Sequence, residues 1–262
     1  MKIHILGTGN GGALKCYNTC FAINNNEEYL LVDGGGGNQI LNQLKVAGID
    51  ITKIHNVFLT HNHTDHILGI IWVFRDVCHK MMKGKYQGNL NIYGSDESMK
   101  VLKLLVDLLF PAGKKFADRI FFNVVEDKQN VTINNMSVMF FDINARKEKQ
   151  FGCVINDKLI FCGDEPLNES LFGFAKDKEW LIHESFCLDS EKETLRAYQT
   201  GHCTVKDASI TAQKLNAKNL IILHTEDNDL LNRKNLYTNE AKEYFEGNVY
   251  VPNDLETIEI DI

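Results

Sequence analysis

Four side chains able to bind a metal fall within six residues of one another: His61, His63, Asp65 and His66, in the stretch LTHNHTDHILG. A short apolar strand, Asn56–Leu59, precedes them, and a buried helical pattern, His66–Val77, follows. Ligands at the end of a strand are held rigidly and face a cleft. Imidazoles and a carboxylate are ligands of zinc, manganese or iron. His61 and His63, two apart in a tight turn, converge on one ion, and Asp65 and His66 reach a second beside it. The fold must therefore carry a strand whose carboxyl end opens into a metal-lined cleft.

The rest of the chain alternates in the same way. Strands are predicted at Lys2–Leu6, Cys20–Asn24 and Tyr29–Asp33, and a helix over Asn38–Ala47. Ser95 caps a further helix, Asp96–Leu109. From Ile120 to Cys162 short strands dominate, with a hairpin turning at Asn134–Asn135. WLIHE, NLIILH and LETIEI read as later strands, and helices are predicted over Lys206–Leu215 and near Asn239–Phe245. Neither a Pro- or Gly-rich linker nor an internal repeat divides the 262 residues, so a single domain over 1–262 is expected. Strands open and close the chain with helices between, which fits sheets covered by helices.

Composition excludes several classes. With 44% hydrophobic and 24% charged residues, the chain is neither disordered nor membrane-spanning. It holds no run of about 18 apolar residues. The N-terminus MKIHILGTG has too short an apolar part for a signal peptide and reads as a first strand. Seven scattered cysteines point to reduced thiols and a cytoplasmic setting rather than a disulfide framework. A net charge of −7 argues against a protein devoted to nucleic acid.

The N-terminal GTGNGG matches G-x-G-x-x-G after a strand. A dinucleotide site needs a helix directly behind those glycines. Here ALKCYNTCFAI follows and runs into a second strand, so a tight loop between strands is the better reading.

The histidine cluster resembles the H-x-H-x-D-H signature of the metallo-β-lactamase superfamily. YLLVDGGGG, IFCGDEP and NLIILHTED are similar to three further strand ends of that superfamily, in the same order. The resemblance implies an α/β fold, the αββα four-layer sandwich, with Asp164 bridging two metals and His224 as the last ligand. LIHESF and GHCTVKDA narrow it: they are similar to the His-Glu-Ala-Thr-Phe and Gly-His-Ser-Thr motifs of ribonuclease Z, the tRNA 3′-processing endonuclease. Carried across, the histidine near the scissile phosphate is His202, and the glutamate that orients it is Glu184. ALKCYN is similar to the family's Pro-x-Lys-x-Arg-Asn loop, which meets the RNA 3′ end. Lys15 and Asn18 match it, while Ala13 and Tyr17 replace the Pro and Arg.

Two departures bear on function. The family supplies a histidine ligand about six residues before the Gly of a strand like FGCVI, and Arg146 stands there instead. One metal, held by His61, His63 and Asp164, then lacks a protein ligand that Asp142, Glu148 or water could replace. The other has Asp65, His66, His224 and Asp164. The long arm with which ribonuclease Z grips tRNA is also missing: only a hairpin's worth of chain separates Arg146 from Asp164.

The resulting expectation is a metal-dependent hydrolase with one or two zinc, manganese or iron ions, cleaving a phosphodiester in RNA or a small diester. Asp65 helps take a proton from water and His202 serves the leaving oxygen. A lactone, thioester or cyclic nucleotide is the alternative substrate, and a non-catalytic protein with a decayed site is a distant third. No membrane partner is expected. A homodimer is expected by analogy with the family.

Overall fold

The computed structural model describes residues 1–261. Six strands fill the first half: β1 (Lys2–Gly7), β2 (Cys20–Asn25), β3 (Glu28–Val32), β4 (Ile54–Phe58), β5 (Leu90–Gly94) and β6 (Ile120–Val124). Eight lie beyond them: β7 (Asn130–Ile133), β8 (Met136–Asp142), β9 (Phe151–Ile155), β10 (Leu159–Phe161), β11 (Trp180–Glu184), β12 (Asn219–Leu223), β13 (Asn248–Tyr250) and β14 (Thr257–Glu259). They form two seven-stranded sheets, in the orders β14-β1-β2-β3-β4-β5-β6 and β13-β12-β11-β10-β9-β8-β7. The closing strand thus returns to the first sheet and pairs antiparallel with β1.

Three apolar layers hold the sandwich together. Between the sheets lie Ile5, Phe21, Val32, Phe58, Phe140 and Phe161 with their neighbours. Outside the first sheet pack helices α1 (Gln39–Val46), α2 (Thr64–Met82) and α3 (Asp96–Leu109), through Leu44, Ile70 and Leu102 among others. Outside the second pack α4 (Phe172–Ala175), α6 (Val205–Lys214) and α7 (Leu230–Tyr244), with Ala212, Tyr237 and Phe245 at the core of that face, and the short α5 (Ala197–Thr200) lies in the connection before α6. The result is the four-layer αββα sandwich. Because β9, β11 and β12 are covered on both faces, all their residues are buried. That explains why they read as largely apolar runs rather than alternating ones, with polar residues only at the ends of β11 and β12.

Local chemistry sets the boundaries. The Ser95 hydroxyl accepts the Ser98 N–H at 3.0 Å, which starts α3 at Asp96 as predicted. Asn134 and Asn135 both take positive φ, +50° and +61°, in the two-residue turn of the β7–β8 hairpin. GTGNGG is a loop leading to β2, and no helix comes after it.

Helices α2 and α7 are longer than their sequence patterns suggest. His63 is extended and stands as the N-cap of α2, so the helix begins at Thr64 and runs to Met82. Helix α7 begins at Leu230, well before the predicted Asn239. Only Arg233, Tyr237 and Ala241 of it are buried, a narrow stripe whose first member is charged.

Two parallel blocks, β3-β4-β5-β6 and β10-β11-β12-β13, aim the chain at one place. It leaves β3, β4, β10, β11 and β12 toward a common edge of the sandwich. Ligand sites in open α/β sheets lie outside such carboxyl ends.

Candidate metal centre

Asp33 comes directly after β3 and organises the site from below. Its Oδ1 accepts the Thr60 N–H at 2.9 Å, and its Oδ2 accepts the Thr60 hydroxyl and His66 Nδ1–H, each at 2.8 Å. With its proton committed to Asp33, the Thr60 oxygen is left to accept His61 Nδ1–H, 2.9 Å away. One buried carboxylate thereby fixes two tautomers. His61 presents Nε2 as a lone pair, and His66, which Asp33 and Asp164 push well above the ordinary imidazole value against its burial, would present the same atom once a cation displaced its proton, the arrangement by which outer carboxylates orient metal-binding imidazoles.

Helix α2 is locked in place beside them. Gly34 donates to the His66 carbonyl at 3.0 Å, and Gly69 donates to the Gly35 carbonyl at 2.8 Å. A side chain at Gly69 would run into the Gly34 carbonyl, so this close crossing requires glycine.

The donors converge from both sheets. His61 Nε2 lies 3.5 Å from Asp164 Oδ2, and His66 Nε2 lies 3.6 Å from the same oxygen. His224 Nε2 lies 2.6 Å from Asp164 Oδ1 and 3.7 Å from Asp65 Oδ2, which is itself 3.3 Å from His66 Nε2. His63 joins through Nδ1, 2.8 Å from His61 Nε2. Asp164 thus touches both halves of the cluster, facing His61 on one side and Asp65, His66 and His224 on the other. The backbone at His224 is left-handed, φ +58°, a costly conformation for a histidine that concentrates at functional sites.

Electrostatics favour a cation here. Burial alone would raise the Asp164 carboxyl, but His224 and His66 hold it well below the usual carboxylate range. Asp65 is likewise held low against burial by His224 and His66. Burial, with His66 alongside, pushes His61 well below the ordinary imidazole value, so its imidazole is neutral. His224 goes the other way: burial lowers it, but Asp164 and Asp65 push it up to about 9. A buried carboxylate, Asp164, and a partly buried one, Asp65, therefore demand positive charge. Buried His66 Nε2 has no hydrogen-bond partner, and His224 Nε2 and Asp164 Oδ1, though 2.6 Å apart, are not aligned for a hydrogen bond with each other. Such atoms are costly unless something binds them. Residues, charge and orphaned atoms together fit one or two divalent ions of the zinc, manganese or iron type.

Glu184 and His202 border the cluster. Glu184 Oε1 accepts the Cys203 N–H at 2.7 Å, while Oε2 stands 3.7 Å from His202 Nδ1. The His202 ring lies between Phe186 and His224, with centroids 5.3 and 4.9 Å away. Lys15 and Asn18 are engaged with the protein itself. Lys15 Nζ donates to the Asn228 carbonyl at 2.7 Å, and Asn18 bridges the Asn10 carbonyl and the Gly36 N–H at 2.7 and 3.1 Å. The loop they belong to still reaches the centre: a Cβ at Gly11 would stand 3.0 Å from Asp65 Oδ2.

At the position of the family's missing histidine, Arg146 is exposed and its N–H donates to Glu165 Oε2 at 3.0 Å. Asp142 accepts the Asn144 N–H at 2.8 Å within its own turn. Of the two carboxylates that could replace the absent ligand, Glu148 is the one beside the cluster: its Oε1 is 3.3 Å from His63 Nε2. Sequence reasoning missed the orienting roles of Asp33 and Thr60, although Asp33 at a strand end before four glycines was a visible signal. It also missed Arg233, whose buried guanidinium donates to the Thr225 and Thr8 hydroxyls and the Pro252 carbonyl at 2.6, 3.1 and 3.0 Å.

Comparison with known proteins agrees with this geometry. The ribonuclease Z of Nanoarchaeum equitans is 23% identical over 268 residues, covering 85% of this chain and 82% of its own. The metallo-β-lactamase fold protein YhfI of Bacillus subtilis superposes with a TM-score of 0.79 at 19% identity, over 98% of both chains. The short form of human tRNase Z gives 0.74 at 19% identity, over the whole of both. The architecture is the metallo-β-lactamase fold. Residues 1–228 match the family described as anti-Pycsar protein Apyc1, and the chain belongs to that family.

Proposed function

We propose that this chain is a metal-dependent phosphodiesterase and that its substrate is a small diester, such as a cyclic nucleotide, rather than a folded RNA. The observation that carries this reading is the position of the Glu184–His202 pair, whose imidazole lies tilted against His224, ring centres 4.9 Å apart, at the edge of the donor cluster. That puts a proton-handling group beside a site for divalent ions, which is what phosphodiester hydrolysis needs.

His61, His63, Asp65, His66, Asp164 and His224 would hold the ions. When bound, they polarise a phosphoryl oxygen and lower the pKa of water toward ~7. Asp65 accepts the proton of the attacking water as the new P–O bond forms. His202 gives a proton to the oxygen that leaves as the old P–O bond breaks. Glu184 faces His202 Nδ1, so Nε2 is the nitrogen that meets substrate.

Scale argues for a small substrate. Only residues 143–150 connect β8 to β9, and no arm projects from the described residues. The net charge of −7 does not favour a polyanion. No described helix is long and apolar enough to cross a membrane.

A second reading, RNA 3′-end cleavage as the name ribonuclease Z implies for the relatives, draws on the loop at Lys15 and Asn18, which reaches Asp65 through Gly11. The test is hydrolysis of bis(p-nitrophenyl) phosphate, a panel of cyclic nucleotides and a precursor tRNA by stripped protein reloaded with zinc or manganese, beside His63→Ala. Turnover of small diesters that the substitution abolishes is expected. Cleavage of the tRNA alone would overturn the small-substrate reading, and no turnover of any diester would overturn the phosphodiesterase.

A further inference from the structure

We propose that Glu148 is a positioning residue for His63, holding the outer face of that imidazole so that its inner nitrogen is presented to the metal centre. The inference rests on the metal-binding part of the proposed function. His63 is the one imidazole of the cluster that lies half in solvent, at 42% side-chain exposure, and Asp33 does not reach it. Its two nitrogens face different ways: Nδ1 is 2.8 Å from His61 Nε2, and Nε2 is 3.3 Å from Glu148 Oε1. A carboxylate on Nε2 favours the tautomer with the proton there, which leaves the Nδ1 lone pair pointing inward.

Glu148 is held where it is by its neighbours. The Arg146 N–H donates to Glu165 Oε2 at 3.0 Å, and Lys147 Nζ donates to the Thr200 carbonyl at 3.3 Å. Lys149 Nζ sits 3.8 Å from Asp96 Oδ1 at the start of α3 and 5.5 Å from the Phe151 ring. Gln150 Oε1 accepts the Asp164 N–H at 3.4 Å. Consecutive residues thus tie this segment to different walls of the site, fixing Glu148 between them. The segment that lacks a histidine ligand at Arg146 acts from outside the ligand shell instead: it braces a ligand that already exists.

The experiment compares wild type with Glu148→Ala, Glu148→Gln and the control Asp142→Ala, none requiring turnover. Zinc affinity is measured by competition with a chromophoric chelator, and the His63 Nε2–H signal is followed by 15N–1H NMR in the zinc-loaded protein. Glu148→Ala is expected to weaken one zinc equivalent by roughly 10–100-fold and to lose the Nε2–H signal to solvent exchange. Glu148→Gln, which keeps an acceptor, should retain the signal and most of the affinity, and Asp142→Ala should match wild type. Unchanged affinity and signal in Glu148→Ala would overturn the proposal. So would a Glu148→Gln as impaired as Glu148→Ala, which would mark Glu148 as a direct ligand. Wild type that binds no zinc, manganese or iron would overturn this proposal and the metal reading together. Wild type that binds zinc but cleaves no diester would overturn only the proposed activity.

Discussion

Asp33 Oδ2 lies 2.8 Å from His66 Nδ1, with both side chains 1% exposed, and the same carboxylate holds Thr60 against His61. It joins the ends of two adjacent parallel strands before any metal is considered. Replacing Asp33 with Ala should cost about 3–5 kcal/mol, because it leaves buried partners unpaired. The same change should lower zinc affinity at least 10–100-fold, since it releases two imidazoles at once. Urea unfolding and chelator competition read the two effects separately. Normal zinc affinity in a folded Asp33→Ala protein would contradict the orienting role.

His202→Ala should reduce diester turnover by roughly 10²–10⁴-fold while leaving metal content intact. Glu184→Gln should have a smaller effect, because Glu184 acts through His202. A loss below tenfold in His202→Ala, measured on metal-replete protein, would remove this histidine from the chemistry.

Stripping the metal should lower thermal stability. A ligand present at a hundredfold excess over its Kd stabilises the folded state by about 2.7 kcal/mol. For a chain of this size that corresponds to a melting shift of roughly 5–10 °C. Scanning calorimetry with and without chelator, then with zinc added back, measures it. A stripped protein that melts where the loaded one does would show that the ions bind no better to the folded chain than to the unfolded one.

Arg233 is 2% exposed, and its guanidinium ties Thr225, the residue after His224, to Thr8 at the end of β1. Arg233→Met removes four hydrogen bonds, to Cys16, Thr225, Thr8 and the Pro252 carbonyl, and takes the guanidinium donor from that buried carbonyl, while the Thr8 and Thr225 hydroxyls keep Asp254 and the Thr8 carbonyl as acceptors. Destabilisation of about 3–5 kcal/mol is expected in urea. Within the folded fraction, metal affinity should fall as well, because the left-handed turn at His224 loses its brace. A stability change under about 1 kcal/mol would show that Met repacks the space without penalty.

All seven cysteines are free, and every one except Cys16 is buried. Burial pushes the Cys78, Cys153 and Cys187 thiols up to about 12. A thiol-specific chromogenic reagent should label at most Cys16 in the native protein over minutes, and all seven after unfolding. Rapid modification of several thiols without unfolding would show that the described packing opens readily.

Much of this was legible in the sequence where one residue type performs one local job. His61, His63, Asp65 and His66 announced themselves by spacing, as did Ser95 by its place before a helical pattern and Asn134–Asn135 between alternating runs. What escaped is of two physical kinds. The start of helix α7 is illegible because its buried stripe begins with Arg233, and a charged residue on an apolar face breaks the pattern by which helices are read. The contact between Glu148 and His63 joins residues far apart in the chain, and the network from Asp33 through Thr60 to His61 and His66 joins two strands. Pattern within one segment carries no information about such pairs.

The donors arrive from opposite slabs of the sandwich: His61, His63, Asp65 and His66 from the end of β4, Asp164 and His224 from the ends of β10 and β12. Neither slab alone offers the full set. An ion held there is a rivet through the two sheets at their open edge, and it can be driven only after the sheets have come together. The full donor set is complete only once both sheets are in place, and a chain truncated before residue 224 would lack the last rivet hole however well its first sheet had formed.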